Sequence, residues 1–309
     1  ILVSTGSSEI GKTAFLIQFT QSMIIFMTEF SESYCKIKSS KNEVNKISDL
    51  LNTESLKVKK DQSKENVEIT NSKIALEIKN LTVFYGKNKV LDDISFSVLE
   101  GETVAIIGKS GSGKSTLLKI LSGFMENYDG KYFLLGKEVV KDVSESFIRD
   151  NVSYVSQNEV LFDFSIEDNI RIGKSDISND EIGRILKKVN MHKEVEELCN
   201  GIKTVIGEEG TALSGGQIQR ICIARALAKD TCVFLFDEIT SSLDRKNERK
   251  IMEELKKMKN KTILMSTHSR EILPYASKII ILKEGKIEVK GSFDELYKIE
   301  DYFKEEYTK

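Results

Sequence analysis

The chain has 309 residues, and its 48 acidic and 46 basic side chains nearly cancel to a formal charge of −2, which argues against a nucleic-acid binder with a basic stripe. A hydrophobic content of 40% is enough to bury the core of one large domain with an appendage, or of two small ones. The four cysteines (Cys35, Cys199, Cys222 and Cys232) form no C-x-x-C pair, which speaks against a disulfide framework and fits ordinary thiols in a reduced compartment.

The chain starts at Ile1 with no charged segment ahead of an apolar core, so a signal peptide is not expected, and the chain reads as the C-terminal part of a longer protein. In residues 1–30 the only charges are Glu9, Lys12 and Glu29, and the apolar stretch Ala14–Phe30 is broken by Gln18, Thr20, Gln21, Ser22, Thr28 and Glu29. A spanning helix wants about 20 mostly apolar residues. Residues 1–34 therefore read as a weak last transmembrane helix or the end of one lining a cavity, with an amphipathic soluble helix as the competing reading. Residues 35–72 are polar and lysine-rich, with Ile37, Val44, Ile47, Leu50 and Leu51 at helical spacing; they read as a cytosolic helical extension and linker.

Residues 73–309 are long enough for a complete α/β domain. Leu76–Lys79 and Val90–Val98 are β-rich and suggest a small antiparallel sheet. Thr103–Ile107, Val233–Phe236, Thr262–Met265 and Lys278–Leu282 are short apolar runs with helical patterns between them, which suggests a mainly parallel sheet covered on both faces.

The run Gly108-Lys109-Ser110-Gly111-Ser112-Gly113-Lys114-Ser115-Thr116 fits G-x-x-x-x-G-K-[ST], between a strand and the helical stretch of Leu117, Leu118, Ile120 and Leu121. Its glycines let backbone N–H groups converge on phosphate oxygens, and the new helix points its positive end at the same place. Lys114 is expected to reach the β- and γ-phosphates of ATP and Ser115 to ligate Mg²⁺; Lys109 contributes only backbone. A second motif, Val233–Phe236 followed by Asp237 and Glu238, puts two carboxylates at the C-terminal end of a buried strand, where ligands of open α/β sheets bind. Asp237 can hold Mg²⁺ through water, and Glu238 can polarise the attacking water. A third, Leu213-Ser214-Gly215-Gly216-Gln217, opens a long helical run and offers a second helix N-terminus. One nucleotide does not need two cradles, so the second could serve a nucleotide held by another chain.

Together these residues resemble the nucleotide-binding domain of ATP-binding cassette (ABC) transporters over roughly residues 74–298. By that resemblance Tyr85 stacks on adenine, Gln157 touches Mg²⁺, Ser214–Gln217 form the signature, Asp237 and Glu238 end the second phosphate-binding strand, Ser241–Asp244 cross to the partner, and His268 contacts the γ-phosphate. His192, in a charged helical stretch, matches no role and reads as a surface residue. The implied fold is a P-loop NTPase with a RecA-like core, an antiparallel β subdomain and an α-helical signature subdomain, preceded by a membrane-derived helix. The implied assembly is a head-to-tail dimer in which Ser214, Gly215, Gly216, Gln217 and Asp244 act in trans on the ATP held by Gly108–Thr116 of a second ABC subunit.

Leu161–Ile170 and Val205–Gly210 resemble exporter segments, which favours an ATPase fused to a membrane domain, placed at the cell membrane with the ATPase on the cytoplasmic side. Ser269 stands where many exporters have an arginine after the histidine, and the proline often found in the last helix is missing. Two alternatives remain at this level. One is an ATPase subunit with separate membrane subunits. The other is a soluble ABC ATPase of translation or DNA repair, although neither a second cassette nor a coiled-coil insertion is present. The transported substrate is not specified by these residues.

Overall fold

The computed structural model describes residues 18–31, 33–34, 73–139, 143–158, 160–207 and 210–299. The chain divides into two units, residues 1–63 and 64–309. In the first, residues 18–31 form helix α1, on which every side chain is exposed, including Phe19, Ile24, Phe26 and Phe30. Among the described residues no helix is long and apolar enough to cross a membrane. Residues 1–17, which would complete the expected spanning helix, and the expected linker at 35–72 lie outside the described residues.

The second unit begins with strands β1 (Ile74–Tyr85), β2 (Asn88–Leu99) and β3 (Thr103–Ile107), followed by helix α2 (Lys114–Leu121), β4 (Asp129–Leu134) and β5 (Lys137–Glu138). Helix α3 (Glu145–Asn151) leads into β6 (Val152–Val155), and α4 (Ile166–Arg171), α5 (Asn179–Lys188) and α6 (His192–Glu196) precede the long α7 (Gly215–Ala228). Then come β7 (Val233–Asp237), α8 (Arg245–Lys256), β8 (Thr262–Ser266), β9 (Lys278–Lys283), β10 (Lys286–Gly291) and α9 (Phe293–Ile299).

The strands form two sheets. An antiparallel sheet runs β2-β1-β4-β5, and a six-stranded sheet runs β10-β9-β3-β8-β7-β6. In the larger sheet β6, β7, β8, β3 and β9 are mutually parallel, and β10 adds an antiparallel edge. Its central strands are buried on both faces, and successive side chains go to opposite sides. Ala105, Ile107, Phe234, Phe236, Ile263 and Met265 share one core with α7 and the helical region. Val104, Ile106, Val233, Leu235 and Leu264 share the other with α2 and the antiparallel sheet.

Helices α3, α4, α5, α7 and α8 each begin at a Ser or Asp whose side chain accepts an N–H of the first turn: Ser144, Ser165, Ser178, Ser214 and Asp244. Such caps stabilise a helix by about 1 kcal/mol each. Helix α2 starts differently, at Gly113 in a left-handed conformation with no side-chain cap.

Candidate active site

The uncapped start of α2 is the centre of the site. Strand β3 ends at Ile107, and the chain turns through Gly108–Gly113 before the helix begins. Gly113 has φ 103°, and a Cβ there would lie 2.5 Å from Leu91 Cδ2. A Cβ on Gly108 would lie 2.2 Å from the Leu282 carbonyl oxygen, so the loop is drawn against strands β2 and β9 more closely than any side chain permits. Within the loop the Ser112 hydroxyl is buried and has no hydrogen-bond partner among the described residues. First-turn N–H groups of a helix have no partner inside the helix. Here those N–H groups form a set of donors suited to an anion.

Lys114, the first residue of α2, is only 5% exposed. Its ammonium donates to the carbonyls of Gly108 at 2.8 Å and Lys109 at 3.3 Å. Burial pushes the Lys114 pKa below the usual lysine range, and the charges of Glu238 and Asp237 pull back part of that shift. Lys109 is exposed and supplies its carbonyl to this arrangement.

Strand β7 delivers the carboxylates. Asp237, at its end, is 2% exposed. Its Oδ1 accepts from the Ser266 hydroxyl at 2.5 Å and its Oδ2 from the Tyr154 hydroxyl at 3.4 Å. Glu238 follows in left-handed backbone, φ 52°, at a strain of about 1–2 kcal/mol. That conformation is fixed by its N–H, which donates to the Ser266 hydroxyl at 3.1 Å and the Ser266 carbonyl at 3.2 Å. The Glu238 carboxylate is held from three sides. Gln157 Nε2 donates to Oε2 at 2.8 Å, His268 Nε2 lies 3.0 Å from Oε1, and Lys114 Nζ lies 4.0 Å from Oε1. His268 Nε2 is also 3.2 Å from Lys114 Nζ. One ring nitrogen cannot serve both neighbours, and donation to Glu238 is the tautomer that keeps the carboxylate paired.

These groups face one cleft of about 280 Å³, lined by Ser110, Gly111 and Gly113–Thr116 together with Val90, Gln157, Glu238 and His268. The carboxylate can take a proton from a water placed over the loop, and the histidine can orient it.

The other expected site residues are elsewhere. Tyr85 is half exposed at the end of β1, where its hydroxyl contacts Met125 Sδ at 3.5 Å, and it is not among the residues lining the cleft. Ser214, Gly215, Gly216, Gln217 and Asp244 do not line it either. Ser214 and Gln217 form a reciprocal cap at the start of α7, with Gln217 N–H donating to Ser214 Oγ at 3.3 Å and Ser214 N–H donating to Gln217 Oε1 at 2.8 Å. Asp244 caps α8 through Asn247 N–H at 2.9 Å. The loop before α8 is tied to α7, because Gln219 Nε2 donates to Ser241 Oγ at 3.1 Å and Ser242 N–H donates to Gln219 Oε1 at 3.1 Å.

Sequence reasoning did not find Ser266, Tyr154 or Val90. Ser266 closes an apolar strand and Tyr154 sits in a short one, and neither type is distinctive by itself.

The class of protein follows from this geometry. An uncapped helix behind a glycine loop, a buried lysine and a strand-end carboxylate pair define a P-loop NTPase site, and a family model described as "ABC transporter" matches residues 91–241. The C-terminal part of the chain carries an ABC transporter ATPase domain. It is 38% identical over 229 residues to an "ATP-dependent lipid A-core flippase" of Desulfotalea psychrophila, covering 74% of this chain and 40% of that one. It is 33% identical over 300 residues to "Iron-sulfur clusters transporter ATM1, mitochondrial" of Debaryomyces hansenii, covering 95% and 43%. Among solved structures, a bacterial Atm1-family ABC exporter with ATP bound superposes with a TM-score of 0.70 at 30% identity, covering 76% of this chain and 41% of that one. The chain thus spans about two fifths of the length of these relatives.

Proposed function

We propose that this chain powers export of a cargo across a membrane, hydrolysing ATP as one of two paired ATPase domains whose sites are each built from both chains. The observation that carries the paired site is the separation of the two cradles. The cleft of Gly108–Thr116 is lined by none of Ser214–Gln217, yet both segments present the start of a helix. In this reading the loop and Lys114 hold the phosphates, Tyr85 stacks on the base, and Ser214, Gly215, Gly216, Gln217 and Asp244 close over a nucleotide held by the partner. Glu238 takes a proton from the attacking water, and His268 holds the γ-phosphate. Export, rather than another use of the hydrolysis, is supported by the relatives' names. Those names give different cargoes, a lipid A core and iron–sulfur clusters, so the shared ATPase domain selects neither. The apolar exposed helix over residues 18–31 supports a membrane-side location.

Ser115, Gln157 and Asp237 offer a hydroxyl, an amide carbonyl and a carboxylate, a hard oxygen set that suits Mg²⁺. Among the described residues no cluster of three or more His, Cys, Asp or Glu could hold a metal unaided, so the cation would lean on phosphate oxygens. Asp237 spends both oxygens on Ser266 and Tyr154 and would reach it through water. When bound, Mg²⁺ would neutralise phosphate charge.

The test is Glu238→Gln in the full chain. The variant should bind ATP and elute as a pair in its presence, while phosphate release falls by about 10²–10⁴-fold. Normal turnover would remove Glu238 as the base, and an ATP-loaded variant that stays single would remove the paired site.

A further inference from the structure

We propose that Glu194, on α6, is a positioning residue for Ser214–Gln217, holding that cradle and the Asp244 cap as one rigid piece. The proposal rests on the reading that this cradle serves a partner's nucleotide.

Two side chains from the first turns of α7 converge on one carboxylate. Gln217 spends its carbonyl on the Ser214 N–H, and its amide nitrogen donates to Glu194 Oε2 at 2.8 Å. Arg220 donates from Nη1 to Glu194 Oε1 at 2.6 Å and from Nη2 to Oε2 at 3.0 Å, a two-pronged pairing. Arg220 is 4% exposed, and it also donates from Nε to the Gly216 carbonyl at 3.2 Å and from Nη1 to the Asn190 carbonyl at 2.7 Å. The carboxylate therefore fixes the two side chains that hold the Ser214 N–H and the Gly216 carbonyl.

The network continues past α6. Asn190, in left-handed backbone at φ 54°, donates from its side chain to Asn247 Oδ1 at 2.6 Å. Asn247 in turn donates to Asp244 Oδ2 at 2.7 Å. An unbroken line of polar contacts joins Ser214 to Asp244, the two elements expected to face the partner, and Glu194 supplies its acidic centre. Without that carboxylate a buried guanidinium loses its counter-charge and Gln217 loses the contact that fixes its amide. A small displacement of the helix start is enough to weaken a preorganised anion site, because a misplacement of about 1 Å can cost about 10²-fold.

The test uses two copies of the full chain with different affinity tags, purified on both tags, each carrying Glu238→Gln to stop turnover. One copy also carries Lys114→Ala, so the only competent site combines the other copy's phosphate loop with this copy's Ser214–Gln217. Glu194→Ala is placed on either copy, and the half-life of retained labelled ATP is measured. The half-life should be about tenfold shorter when Glu194→Ala sits on the Lys114→Ala copy than when it sits on the other. Equal half-lives in the two arrangements overturn the proposal, since a general folding defect acts from either copy. Glu194→Gln, which keeps size and removes charge, repeats the test if the alanine variant does not fold. Gly215→Asp is placed in the same two arrangements as a reference. If it depends on the arrangement and Glu194→Ala does not, Glu194 alone is wrong; if neither depends on it, the shared site itself is wrong.

Discussion

Two of the three glycines of the phosphate loop, Gly111 and Gly113, can be separated by what an added methyl group would meet. Gly111 and Gly113 both lie in left-handed backbone, at φ 80° and 103°, so alanine at either costs about 1–2 kcal/mol in conformation. At Gly111 a Cβ meets nothing within 4 Å. At Gly113 it lies 2.5 Å from Leu91 Cδ2 and 3.0 Å from the Val90 carbonyl oxygen. Leu91 is completely buried in the core shared with α2 and cannot retreat, which adds about 1–3 kcal/mol of overpacking. Gly113→Ala should therefore destabilise the domain by about 2–5 kcal/mol and Gly111→Ala by about 1–2 kcal/mol. Guanidinium unfolding without nucleotide reads both as shifts in midpoint at constant slope. Equal losses, or a larger loss at Gly111, would refute the reasoning that Leu91 and Val90 set the requirement at 113.

Two further outcomes are expected. Lys114 titrates below the usual lysine range because it is buried, and a neighbouring triphosphate favours its charged form and raises that pKa. Nucleotide binding should then take up a proton between the two values, and affinity should fall as pH rises through the lowered one, by at most about tenfold per pH unit. Calorimetry in buffers of different ionisation enthalpy measures the proton; an affinity that climbs over that range contradicts the assignment. Asp244→Ala removes the cap of α8, which should cost about 1 kcal/mol, seen as a lower thermal midpoint. Asp244→Asn keeps a capping oxygen and should retain most of that stability.

What could be read in advance was what is local. The phosphate loop carries its reason within itself: glycines for backbone approach, a lysine and a hydroxyl at the helix start, and a feeding strand. The buried strands β3, β7, β8 and β9 announced themselves as short apolar runs, because a strand covered on both faces has no polar alternation. Strand β6 reads Val-Ser-Tyr-Val and gives no such run; Ser153 accepts from the Thr231 hydroxyl and donates to the Ala226 carbonyl, contacts that exist only after folding. Strand β10 alternates half-buried and exposed positions and adds an antiparallel edge to a sheet expected to be mainly parallel. Ser266 was not legible as a site residue, since its contacts with Asp237 and Glu238 depend on β7 and β8 lying side by side. His268 and Gln157 were legible only through family resemblance, and the structure brings both to Glu238.

The two cradles also differ in why they contain glycine. In the phosphate loop Gly108 and Gly113 are required by strands packed beneath the loop, and they leave its upper side open to a ligand. At the start of α7 a Cβ on Gly216 would lie 2.9 Å from the carbonyl oxygen of Ser242, in the loop just before the Asp244 cap. That glycine is demanded by the chain's own packing, because it lets the start of α7 and the loop before α8 touch. Ser214 Oγ is engaged by the Gln217 N–H, while the N–H groups of Gly215 and Gly216, in the first turn, have no partner inside the helix. The signature therefore cannot be taken residue by residue as a list of nucleotide contacts. Gln217 and Gly216 build the platform, and the groups left to meet an anion are the Ser214 hydroxyl hydrogen and the first backbone amides of α7.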